Sequence, residues 1–139
     1  MKKRLALMMG TVAVLGLVGL GGQAEGQDGA PSIKKVMGKL HGKGKGLLPA
    51  VGKALQSETP DWPAIKKSSK LIAELASTIT DVEPPKGEKE NYSKLSKAYL
   101  ASAKSLQEAA DAEDADKSKA AAKKLMGTCK TCHTAHKGQ

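Results

Sequence analysis

From about residue 31 onward, apolar residues recur at three- and four-residue spacing, and no run alternates as a half-buried strand would. The first apolar-striped segment begins near Pro31, a favoured first-turn residue. It carries Ile33, Val36, Met37, Leu40, His41, Leu47, Leu48, Val51 and Leu55. Gly42, Gly44, Gly46 and Pro49 fall in its middle, so the helix is expected to bend or break after His41. A second helix is predicted from an N-cap at Asp61 to about Asp81, with Trp62, Ile65, Ile72, Leu75, Ile79 and Val82 on one face. Pro84-Pro85-Lys86-Gly87 stops it. The third runs from about Glu88 to Ala110, with Tyr92, Leu95, Tyr99, Ala103, Leu106 and Ala110 inward. An acidic turn, Asp111 to Asp116, then offers carboxylates to the N-terminus of a fourth helix. That helix extends to about His136 and points Leu125, Met126, Cys129, Cys132 and His133 towards the core. Four helices with short links predict an all-α, up-down-up-down four-helix bundle.

The stretch before residue 31 has a different character. Lys2, Lys3 and Arg4 precede an apolar run from Leu5 to Leu20 and a small-residue region ending at Ala24. This is the pattern of a secretory signal peptide over residues 1–24, and it predicts export to the periplasm. The apolar run falls short of the roughly 20 residues that a spanning helix needs. Left uncleaved, it would hold the chain near a membrane. Residues 25–30 are polar and glycine-containing and read as a short flexible leader, which leaves 31–139 as one domain.

Composition adds a constraint on the core. Trp62, Tyr92 and Tyr99 are the only aromatic residues, with no Phe, so a Leu/Ala interior of this size is thin. A buried prosthetic group would supply the missing apolar bulk. The chemistry for one lies in Cys129-Lys130-Thr131-Cys132-His133, the C-x-x-C-H pattern of covalent c-type haem attachment. Two thiols one helical turn apart can add to two vinyl groups on one porphyrin edge, while the next side chain offers imidazole to the iron. Other uses of these residues fit less well. A closed zinc site wants four ligands, usually as two separated pairs, and beyond His136 the only other histidine is His41. A thioredoxin-like pair needs a strand before it and the start of a helix after it. A disulfide spanning three residues would constrain almost nothing.

Four helices with C-x-x-C-H on the last, and a ligand candidate near the start of the first, resemble the class II c-type cytochromes. This is the cytochrome c-prime group with its low-spin relatives. The resemblance implies one covalent haem c held by Cys129 and Cys132, with His133 as the proximal ligand and the first helix over the distal face. Ile33-Lys34-Lys35-Val36-Met37-Gly38-Lys39-Leu40 is similar to the low-spin version, with Met37 as distal ligand. His41, one turn on, is the alternative distal ligand. Lys34 and Lys35 stand where the family often has Arg-Gln, and His136 stands where an aromatic is common. Relatives are often dimers through the first two helices, so a homodimer is an open expectation.

Two functions follow from these residues. A methionine on the sixth position makes an electron carrier; an open position makes a protein that binds or senses diatomic gases. The residues favour the carrier, and no distal Arg/His pair is evident to suggest an enzyme. Met126, Trp62, Tyr92 and Tyr99 read as core packing. The formal net charge is +9. Lys34, Lys35, Lys39, Lys43 and Lys45, with Lys130 and Lys137, would ring the haem edge and steer redox partners with acidic docking surfaces. Nucleic acid is not the expected partner, because Arg4 is the only arginine available for bidentate base readout.

Overall fold

The computed structural model describes residues 32–137. The expected signal peptide, the 25–30 leader and Pro31 lie outside the described residues. Five helices follow in order: α1 (Ile33–His41), α2 (Leu47–Ala54), α3 (Trp62–Ser77), α4 (Lys89–Asp111) and α5 (Ala115–His136). The first predicted segment is thus two helices, broken where the glycines fall. Gly44 adopts φ +73°, and a Cβ on Gly46 would stand 2.7–2.8 Å from the backbone of Gly42 and His41. That link is too tight for a side chain. Pro49 takes no part in the break, because it sits in the first turn of α2, where its missing N–H is not needed.

Side-chain caps start three of the helices. Ser32 accepts from Lys35 N, Asp61 from Ala64 N and Asp114 from Lys117 N. Helix α3 stops at Ser77, short of the expected Asp81. There Thr78 returns both its amide and its hydroxyl to Leu75 O, and Thr80 Oγ1 donates to Ser77 O. Such local bonds compete with the helical ladder. Ile79 and Val82 still reach the core from beyond the helix end.

Helix α2 packs on α3 and α5, α3 on α4, and α4 most extensively on α5. These four form a closed ring around one core. Cross-links fix the directions. Lys66 near the start of α3 pairs with Glu113 just past α4, and Tyr92 Oη at the start of α4 donates to Ile79 O after α3. The end of α5 meets the start of α4 through His136 and Asn91. Neighbours are therefore antiparallel, and the described residues form the predicted all-α up-down-up-down bundle. Helix α1 continues the first arm beyond the glycine link, but it packs only on α2 and α3. No Cα of α1 comes within 8 Å of one in α4 or α5.

The core follows the predicted stripes, with Val36, Leu40, Leu48, Val51, Leu55, Ile65, Ile72, Leu106 and Leu125 fully or almost fully buried. Two expectations fail: Met126 and His133, both read as pointing towards the core, are exposed. Met126 is 50% exposed, because the buried stripe of α5 runs through Ser118, Ala121, Ala122 and Leu125. One step past Leu125, about 100° round the helix, Met126 lies on the rim beside Gly52 and Leu55 of α2.

Candidate haem site

The gap between α1 and the α4–α5 pair is a narrow, mostly apolar cleft. Met37 and His41 come to it from α1, Leu95, Ser96 and Tyr99 from α4, and Thr128, Cys129, Cys132 and His133 from α5. The five residues singled out from the sequence, Met37, His41, Cys129, Cys132 and His133, thus share one cavity. Each arrives for a simple reason: Cys129 and Cys132 continue the inward stripe of α5 one turn apart, and Met37 and His41 are one turn apart on α1. Both thiols are free and half-buried, whereas His133 is exposed.

Side chains alone bridge the cleft between α1 and the other wall. His41 Nε2 and Tyr99 Oη share a hydrogen bond of 3.0 Å. Cys129 Sγ lies 3.6 Å from the same nitrogen and 3.9 Å from Nδ1, and it also donates to Leu125 O at 3.3 Å. His41 of α1 thus stands against Cys129 of α5, and Met37 and His133 line the same cleft.

Burial keeps the cleft electrically quiet. It pushes both thiols up from their ordinary range, with the neighbouring Cys132 adding to the effect at Cys129. The Tyr99 hydroxyl is pushed up by burial and then by Cys129. His41 is pushed down, first by burial and then by His133, so near neutral pH its ring carries no charge. Two neutral thiols, a following imidazole, a thioether across the gap and walls of Leu95 and Tyr99 suit a flat apolar macrocycle with a metal centre. The donor set fits haem bound in the c-type manner.

Sequence reasoning passed over part of this lining. Tyr99 read as packing, yet it presents its hydroxyl to the cleft. Leu95, Ser96 and Tyr99 lie at i, i+1 and i+4 on α4, one turn beyond Tyr92, and that spacing was the available signal. His136 was weighed as a zinc ligand and noted for standing where an aromatic is common. It is 3% exposed and bonded on both ring nitrogens.

A helical bundle whose last helix brings two thiols and the following imidazole to one apolar cleft defines a c-type haem cytochrome. The chain belongs to the cytochrome C' family, whose model matches residues 27–137. No curated protein and no solved structure matches it significantly.

Proposed function

We propose that this chain is a periplasmic one-electron carrier rather than an enzyme. It holds one haem c through thioethers from Cys129 and Cys132, with His133 as proximal ligand and Met37 as distal ligand. The observation that carries the reading is the gathering of Met37, Cys129, Cys132 and His133 on one cleft, in which His41, the other distal candidate, is hydrogen-bonded to Tyr99. When bound, haem supplies reversible Fe(III)/Fe(II) chemistry. The protein's part is to supply ligands and to govern access. The Met37 thioether raises the potential relative to a second imidazole and blocks the position that a diatomic gas would take. Leu95 and Tyr99 exclude water from one wall of the cleft. Lys34, Lys35, Lys39, Lys43 and Lys45 are all exposed along α1 and its link, as are Lys130 within the motif and Lys137 after it. This positive rim steers acidic redox partners to the haem edge.

Two measurements test the reading. Haem stays with the polypeptide through acid-acetone extraction of the wild type, and Cys129→Ala and Cys132→Ala each lose one linkage. The oxidised wild type is low-spin and binds no carbon monoxide when reduced, and Met37→Ala opens it to carbon monoxide. If His41→Ala opens it instead, the distal ligand is histidine. A wild type that is already high-spin and binds carbon monoxide replaces the carrier with a gas-binding protein.

A further inference from the structure

His133 stands in the last turn of α5, where four carbonyls lack helical partners and the helix would ordinarily fray. It is itself exposed, so burial does not fix it. Three residues on, His136 is buried to 3% and makes three contacts with the start of α4 and the link before it. Its Nδ1 donates to Lys86 O at 2.9 Å, and its Nε2 lies 2.8 Å from the side-chain amide of Asn91. With the proton on Nδ1 for Lys86 O, Nε2 accepts, and the Asn91 amide meets it when turned to present its NH2. The ring also meets Tyr92 edge-on, with centroids 5.3 Å apart. Gly87, at φ +82°, lets the link come this close, because a Cβ there would stand 2.8 Å from both Ala135 O and His136 Nδ1. Lys137 N closes the turn on His133 O at 3.1 Å.

We infer that His136 is a positioning residue: it clasps the last turn of α5 to the α3–α4 link and so keeps His133 directed into the cleft. The inference rests on His133 being the proximal ligand.

The test uses the haem-loaded full chain. His136→Phe keeps an aromatic ring beside Tyr92 and removes both hydrogen bonds. His136→Gln restores a donor and an acceptor. In the Phe variant, amide exchange of residues 132–136 is expected to quicken at least about tenfold, with the rest of the bundle unchanged. In a urea titration the Soret bands of His133-ligated haem, with or without a sixth ligand, are expected to collapse before the helical circular-dichroism signal, whereas in the wild type the two coincide. The Gln variant recovers most of both. Should the Phe variant fold poorly, Asn91→Leu removes the Nε2 partner from an exposed position and gives the same separation at smaller amplitude. Faster exchange with coincident Soret and dichroism curves would overturn the positioning role and leave His136 a helix anchor. Unchanged exchange overturns the clasp itself. A wild type that holds no haem sinks the haem reading instead, and that outcome is visible before any variant is made.

Discussion

At the scale of single residues, one hydroxyl separates the two rivals for the sixth position. Tyr99 Oη holds His41 Nε2 at 3.0 Å, and under the proposed ligation a net contribution of about 1 kcal/mol would bias His41 against the iron by about fivefold. Tyr99→Phe keeps the ring and removes that bias. The expected outcome is a fraction of bis-histidine spectrum and a lowered potential, both reversed in a Tyr99→Phe/His41→Ala double variant; optical titration against potential measures both. That Cys129, Cys132 and His133 stand together on the last helix was legible because spacing along one helix is a local property; Met37 was singled out through the family resemblance. The Tyr99–His41 pair was not, because it depends on how α1 is rotated and offset against α4, and no period within either helix encodes that.

At the scale of elements, periodicity and caps told most of the story. The glycine break after His41, the Asp61 cap and the acidic turn before α5 were all readable, because each is set within a few residues. The exposure of Met126 and the early end of α3 were not. One turns on which neighbour α5 presents its rim to, the other on threonine hydroxyls outcompeting the ladder. The α4–α5 turn shows how much a short link can specify. Glu113 takes φ 55°, Asp114 N bonds Ala109 O at 3.0 Å, and Asp114 then caps α5 through Lys117 N. That backbone bond, foremost, holds the Asp114 carboxyl below its usual 3.8. A folded value below the unfolded one means that the stabilisation is present above pH 3.8 and is lost as pH falls through the folded value. Asp114→Ala should therefore lower the thermal midpoint at pH 7, with the gap to wild type narrowing in acid. Asp114→Asn keeps the cap and should differ from Ala by the same amount at both pH values. Thermal unfolding at pH 7 and pH 3 compares the three.

At the scale of the whole molecule, the exposed Lys34, Lys35, Lys39, Lys43 and Lys45 lie on α1 and its link, and Glu108, Asp111, Glu113, Asp114 and Asp116 lie around the α4–α5 turn. The rise along α5 from Asp116 to Cys129 is about 20 Å, between two and three Debye lengths at physiological salt. The lysines by the cleft then bear most on docking. Electron-transfer rates with an acidic partner should fall steeply with ionic strength, and Lys39→Glu/Lys43→Glu should slow transfer about tenfold at low salt and little at high salt. Glu108→Gln/Asp111→Asn should leave the rate unchanged; stopped-flow kinetics across a salt series decides. The separation of α1 from α4 and α5 has its own consequence. The helix that carries Met37 is held to the bundle by α2 and α3 and, across the cleft, by the side chains of His41, Tyr99 and Cys129 alone. With Met37 as the proposed distal ligand, its loss would be a local opening with its own free energy, smaller than that of unfolding. Warming or mild denaturant would then free the sixth position before the fold itself gives way.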